Sequence, residues 1–242
     1  MIVRGTEAGQ SWAELAQLDS LASVLDPADR RGRKNRLIDR VHKRALGRAV
    51  GDVHGSSVLD FGSGTGRLSD WLVRNGARVE GVDITPEMVS VAQTRVPQAR
   101  FHTIEGATLP FADGRFDLVV TAYVLQYYVD GDVRIAQELG RVLRGGGRLV
   151  AIEQVAEDDI GRGGAIAAYE EMLRGAGLRL LEVSKIRMGN SRIVAMAQLL
   201  PVLARLPVVP WLVTREAKRL NEEPLTNGRY ADVVFCTAKG RA

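Results

Sequence analysis

The chain has 242 residues, of which 45% are hydrophobic and 26% charged, a globular balance that excludes a long disordered tail or a fibrous repeat. With 33 basic against 29 acidic residues the formal net charge is only +4, a mild bias toward anionic partners and no strong nucleic-acid signal. The single cysteine, Cys236, excludes an internal disulfide framework or a cysteine-rich zinc site and fits a reducing, cytoplasmic setting.

Residues 1–10 show neither a secretory apolar core nor a transit pattern. Residues 11–50 place Trp12, Leu15, Leu18, Leu21 and Val24, then Leu37, Ile38, Val41, Ala45 and Leu46, at helical spacing. Asp26-Pro27 separates the two helices, and residues 1–50 are expected to form an N-terminal helical cap. Between the helices, Arg30, Arg31, Arg33, Lys34 and Arg36 read either as a solvated helix face or as a cationic patch turned to substrate.

From residue 57 the pattern changes to short apolar runs that end in Gly or Asp. Strands at 57–61, 78–82, 99–104, 118–121 and 148–153 alternate with helices at 69–75, 86–95 and 132–142. Runs buried on both faces and separated by helices predict an α/β, Rossmann-like, doubly wound sheet. A helix at 164–175 and strands at 178–186 and 230–238 complete it, mostly parallel with an antiparallel last strand. The expected core is 51–186 with 229–242. Residues 187–228 form a helical insertion before the last strand, too long for a simple connection and expected to act as a lid. Its apolar stretch, 199–213, is broken by Pro201, Arg205, Pro207 and Pro210 and is shorter than the roughly 20 residues of a membrane span.

The strongest local signal is Val58-Leu59-Asp60-Phe61-Gly62-Ser63-Gly64-Thr65-Gly66, a strand that runs into a glycine turn and then a helix. Glycines there let the backbone turn sharply and approach a ligand. The third glycine of a dinucleotide fingerprint would stand where Arg67 is, and the Gly-Lys-Ser/Thr of a phosphate-binding loop is absent. Asp83 closes the next strand, seventeen positions beyond Gly66, where an acid reaches across the crevice and can accept both hydroxyls of a ribose. An unpaired aspartate at a strand end is the bland alternative.

With these residues, and with 105–120 (Glu105-Gly106-Ala107 onward) and 141–149, the chain resembles the class I S-adenosylmethionine-dependent methyltransferases, especially their small-molecule branch. The resemblance covers roughly residues 55–155. It implies that Asp60, Gly62, Ser63, Gly64 and Gly66 hold the methionine end of S-adenosyl-L-methionine, and Asp83 the ribose. Ile84 would cover one face of the adenine, Glu105 and Gly106 would read its edge, and Thr121 would lie beneath the sulfonium. Many relatives have Gly-Asp-Ala where this chain has Glu105-Gly106-Ala107. Asp117 reads as a loop brace.

Methyl transfer from a sulfonium needs alignment, water exclusion and, for a hydroxyl acceptor, a base. Thr121-Ala122-Tyr123-Val124 lacks the Asn/Asp-Pro-Pro-aromatic motif of base and glutamine amide methylation, Cys236 is far along the chain from any thiolate role, and Thr121 stands where metal-dependent catechol-type enzymes carry an acid. No metal is therefore expected; Asp130 and Asp132 are weak candidates. Glu153, ending the fifth strand, and His42 are the candidate bases, Glu153 slightly ahead. Tyr123, Gln126, Tyr127, Arg192 and Trp211 are acceptor-side candidates. The expected function is O-methylation of a small molecule such as a sugar or specialised metabolite. The rivals are N- or C-methylation, a nucleic-acid methyltransferase, a nicotinamide oxidoreductase and an inactive binding protein. Nothing in the sequence fixes an oligomeric state.

Overall fold

In the computed structural model, which describes residues 12–18, 21, 25–26, 28–29, 31–129, 134–155, 166–189, 191–199, 202, 205–219 and 230–240, the apolar runs are strands of one sheet. They are β1 (Ser57–Phe61), β2 (Arg78–Asp83), β3 (Arg100–Thr103), β4 (Phe116–Ala122), β5 (Leu143–Val155), β6 (Leu178–Met188) and β7 (Ala231–Lys239). Their order is β3-β2-β1-β4-β5-β7-β6. The first five run parallel to one another. β7 enters between β5 and β6 and is antiparallel to both, as the sequence predicts for the last strand.

β5 starts earlier than the apolar run. Leu143 pairs with Phe116, the register then shifts, and pairing resumes at Arg148 opposite Leu118; Gly146, at φ 77°, lies in the intervening glycine run. The register sets the functional edge: Phe61 lies opposite Val82 on one side and Thr121 on the other, and Thr121 opposite Ala151. The strands thus finish level, and the loops that follow them meet.

The helices are α1 (Trp12–Leu15), α2 (Arg33–Val50), α3 (Arg67–Arg74), α4 (Pro86–Arg95), α5 (Arg134–Val142), α6 (Ile166–Gly175), α7 (Arg192–Leu199) and α8 (Val209–Arg219). Successive residues of β1 and β4 supply opposite faces, as a strand period of two demands. Val58, Leu118 and Val120 pack under Leu37, Val41 and Leu46 of α2 and Leu68 and Leu72 of α3. Leu59, Phe61 and Val119 pack with Ile135 and Leu139 of α5 and Tyr169 of α6 on the other side. Each such side chain contributes about 1.5 to 3 kcal/mol when fully buried. Asp117 braces a loop as expected, accepting from the Ser57 N–H at 2.7 Å and pairing with Arg144 at 2.6 Å.

The insertion after β6 packs on the α2 side. Val194 and Ala197 of α7 and Val209 and Val213 of α8 join the core beneath α2. Glu216 ties the two helices, accepting from the Ser191 hydroxyl and from the Arg192 N–H at 3.1 Å. Closing as a lid would require breaking this apolar contact, which makes a wall of α7 and α8; 200–201, 203–204 and 220–229 lie outside the described residues. No helix among the described residues is long and apolar enough to cross a membrane.

A packed wall has a measurable signature. In hydrogen exchange on the ligand-free protein, the amides around Val194 and Val213 should be protected comparably to those of α2. Exchange there at the rate of an open loop would show that the wall detaches and restore the lid reading.

Candidate functional site

The glycine turn sits at the level edge. Gly62, Gly64 and Gly66 have φ of 68°, 51° and 73°, a left-handed conformation that side chains resist. Gly62 is held by closeness as well: a Cβ there would lie 2.3 Å from Val124 Cγ2. The loops after β1 and β4 are therefore in contact. Asp83 reaches the turn from β2, its Oδ2 accepting from the Gly64 N–H at 2.8 Å and its Oδ1 from the Thr85 N–H at 3.0 Å. Burial raises its pKa against the N–H groups of Gly64, Thr85 and Ile84 and the Thr85 hydroxyl. Ribose hydroxyls binding here would share the carboxylate with these donors or displace the Thr85 hydroxyl. Ile84, half-buried, follows directly, while Glu105 and Gly106 are exposed just beyond β3.

Two buried hydroxyls at this edge, Ser63 Oγ and Thr121 Oγ1, have no hydrogen-bond partner among the described residues. Buried polar atoms are rarely left so, and both lie at the edge where the glycine turn meets the end of β4. With the Asp83 carboxylate they make a polar cradle whose donors and acceptors fit the expected S-adenosylmethionine. Asp60 is placed differently from the expectation of direct contact. It is buried, and its Oδ2 accepts from the Ser69 hydroxyl at 2.6 Å. Burial pushes its pKa up to about 6 against that bond, and it fastens β1 to α3. Arg67, at the position of the missing fingerprint glycine, is buried and pairs with Asp39 of α2 at 3.0 Å.

Beside the cradle lies a buried polar cluster that local sequence patterns do not reveal. Asp232 of β7 accepts from Arg187 of β6 through Nε at 2.5 Å and Nη2 at 2.9 Å, and its Oδ2 is 3.0 Å from His42 Nε2. Burial alone would raise the Asp232 carboxyl, but Arg187 and His42 outweigh it and hold it well below the carboxylate range. An ionised Asp232 can only accept, so His42 Nε2 carries the proton and Nδ1 keeps a lone pair. Nδ1 is buried with no partner among the described residues. Burial lowers the His42 pKa despite Asp232, which keeps the ring neutral. Tyr123 packs edge-on to His42 at 5.3 Å between ring centroids, with its hydroxyl 3.2 Å from Nε2.

Tyr123 is the one non-glycine residue with positive φ, 62°, among the described residues. Its N–H donates to Ile152 O at 2.8 Å, and Gln126 Nε2 donates to its carbonyl at 3.2 Å. Glu153 completes the restraint. It is fully buried, Oε1 accepting from the Val124 and Leu125 N–H groups at 3.2 and 3.0 Å and Oε2 from that of Gln126 at 3.3 Å. Both oxygens face the main chain, which corrects the expectation of a base at the crevice mouth: Glu153 fixes the turn that carries Tyr123.

The other acceptor-side candidates are spread over the molecule. Tyr127 is partly exposed and meets Trp12 edge-on at 6.3 Å, near the crevice. Arg192 is exposed at the start of α7. Trp211 lies two positions from Val209 and Val213 and so takes the outer face of α8, against Arg48 at the far end of α2. Asp130 and Asp132 lie outside the described residues.

Burial pushes the Glu153 carboxyl up to about 8, partly offset by its three N–H donors. The native state therefore binds the proton more tightly than the unfolded chain, and this group's contribution to stability is full at low pH and declines as pH rises from about 5 to 8. Denaturant titrations of wild type and Glu153→Gln across that range should show the decline in the wild type and a flatter curve in the variant. Identical pH profiles would show that Glu153 is ionised in the fold throughout.

A family model described as a methyltransferase domain matches residues 59–151. The chain is 35% identical over 140 residues to the magnesium-protoporphyrin O-methyltransferase of Rhodobacter capsulatus, covering 55% of this chain and 59% of that protein. It is 39% identical over 116 residues to a demethylmenaquinone methyltransferase of Beutenbergia cavernae, covering 48% of each. The chain thus spans about half the length of these curated relatives. The fold is shared with geranyl diphosphate C-methyltransferase from Streptomyces coelicolor A3(2), solved with Mg2+, geranyl diphosphate and S-adenosyl-L-homocysteine, at TM-score 0.62 and 15% identity over 89% of this chain and 86% of that one. Residues 59–151, which contain the glycine turn, form a methyltransferase domain, and there the chain is similar to the class I S-adenosylmethionine-dependent methyltransferases.

Proposed function

We propose that the protein transfers the methyl group of S-adenosylmethionine to a small-molecule acceptor held between the strand ends and α2. The observation that carries this reading is the cradle at the level edge of β1, β2 and β4: three left-handed glycines, the Asp83 carboxylate reaching their turn, and the hydroxyls of Ser63 and Thr121, buried without a partner among the described residues. The names of the relatives, which act on a protoporphyrin and a demethylmenaquinone, support a small acceptor. When bound, S-adenosylmethionine supplies an electrophilic methyl group on a sulfonium. Asp83 takes the ribose hydroxyls, Ile84 covers the adenine, Glu105 and Gly106 read its edge from outside, and Asp60 holds the turn through Ser69.

Within this reading the acceptor is a hydroxyl and the base is His42. Its Nδ1 has the lone pair that Asp232 leaves free by accepting from Nε2, and its lowered pKa keeps that lone pair available at neutral pH. The acceptor proton passes to Nδ1, and Asp232 stabilises the imidazolium that results. Tyr123 meets the ring on its Nε2 side, and Glu153 holds the turn that carries Tyr123.

Calorimetry with S-adenosylhomocysteine tests the cradle. Asp83→Ala should weaken binding by about 1 to 3 kcal/mol through lost hydrogen bonds, and Gly64→Val should abolish it; unchanged affinity in both variants would sink the reading. Screening metabolite extracts with isotopically methyl-labelled cofactor identifies the product. His42→Ala should then lower turnover by about 10² to 10⁴-fold with cofactor affinity retained. Full turnover would point instead to a nitrogen or carbon acceptor that needs no base.

A further inference from the structure

The basic character of α2 is not used by the site. Arg36, Arg40, Arg44 and Arg48 recur every fourth residue, which on a helix places them in one row extending about 18 Å at 1.5 Å per residue. The buried face of α2 belongs to Leu37, Val41, Ala45 and Leu46, so the row lies outside the core. Arg36, Arg44 and Arg48 are exposed. The row runs beside the insertion: Arg40 Nη2 donates to Leu206 O at 2.9 Å, and Arg48 shares an open hollow of about 410 Å³ with Trp211, Thr214, Arg215 and Lys218.

The insertion is unusual in what it exposes. Leu199 is 80% accessible, Val202 66% and Met196 54%, and Leu206, Val208 and Trp211 are exposed as well. Six large apolar side chains turned outward within sixteen residues exceed the scattered exposure normal for a soluble surface. Their helices are already anchored by Val194, Ala197, Val209 and Val213, so this outer set is surplus to the fold.

We propose that this face docks the protein peripherally on an anionic membrane surface. The apolar side chains of the insertion enter the acyl boundary while the α2 arginines, with Arg215 and Lys218, lie among the lipid phosphates. The two parts match the two contributions to interfacial binding, buried apolar area and attraction to anionic headgroups. A nucleic acid would meet mostly aliphatic side chains here. The one aromatic face, Trp211, already has the Arg215 guanidinium 5.1 Å from its centroid, leaving little for bases to stack on. A two-fold partner copy would bring one arginine row against another. The proposal holds whatever acceptor the site takes.

Co-sedimentation tests it, using phosphatidylcholine vesicles with and without about one third phosphatidylglycerol, at low and high salt. The full chain should pellet with the anionic vesicles at low salt, be released at high salt, and stay in solution with phosphatidylcholine alone. Arg44→Glu/Arg48→Glu should lower partitioning roughly tenfold or more, from about a fivefold contribution per charge near the surface. Leu199→Ser/Val202→Ser should lower it by a similar factor without touching charge. Unchanged melting temperature and S-adenosylhomocysteine affinity in both variants show that fold and site are intact. No pelleting at low salt, equal pelleting with both vesicle types, or indifference to both variants overturns the proposal. Retention on RNA without vesicle binding would reassign the face to nucleic acid. A dimer dissociated by Leu199→Ser/Val202→Ser, again without vesicle binding, would reassign it to a second copy.

Discussion

Asp232 sits fully buried on β7, with Arg187 of β6 bound to both of its oxygens and His42 of α2 bound to one. Three elements far apart in the chain are pinned by one carboxylate, and the turn after β4 joins them through Tyr123. Removing one member of such a group strands a buried charge, at about 3 to 5 kcal/mol for comparable pairs. The bonds that steady the fold therefore also set the tautomer of His42.

The acids around the crevice show how surroundings divide one functional group into several roles. Asp232 is kept ionised by Arg187 and His42. Glu153, equally buried but held by N–H dipoles without a cation and repelled by Asp232, has its pKa pushed up by burial to about 8. Asp83, less enclosed, spends its oxygens on the glycine turn and on the backbone that follows it. Tyr123 is the counterpart on the main chain: it stays in a left-handed conformation because Ile152, Gln126 and Glu153 restrain the turn around it. Strained residues held in this way concentrate at working sites.

The cradle was legible in the sequence because its determinants are local: strand, glycine turn and acid occur within 57–83, and each residue type has a backbone reason for its place. The alternation of apolar runs and helices carried the sheet and its antiparallel last strand for the same reason. The polar cluster was not legible, because the partners of Asp232 lie 45 and 190 positions away and no periodicity links them. Glu153 was assigned a base's role from its place at a strand end, which says nothing of the three N–H groups that engage it. Trp211 was misassigned because apolar spacing shows that a helix has an inner face, yet a two-residue offset decides which side chains occupy it. The early start of β5 was hidden by its glycines, which read as a loop.

The position of β7 bears on how the protein is made. It is hydrogen-bonded between β5 and β6 although it follows both in the chain. Until residue 239 has been synthesised, β5 presents an unpaired edge and β6 has no neighbour, so the nascent sheet ends at β5. The glycine turn and Asp83, complete by Thr121, can form on the growing chain well before the His42–Arg187 cluster, which waits for Asp232. Synthesis thus separates the two polar groups in time, with a sticky edge in the interval. A chaperone would have most to protect in that interval.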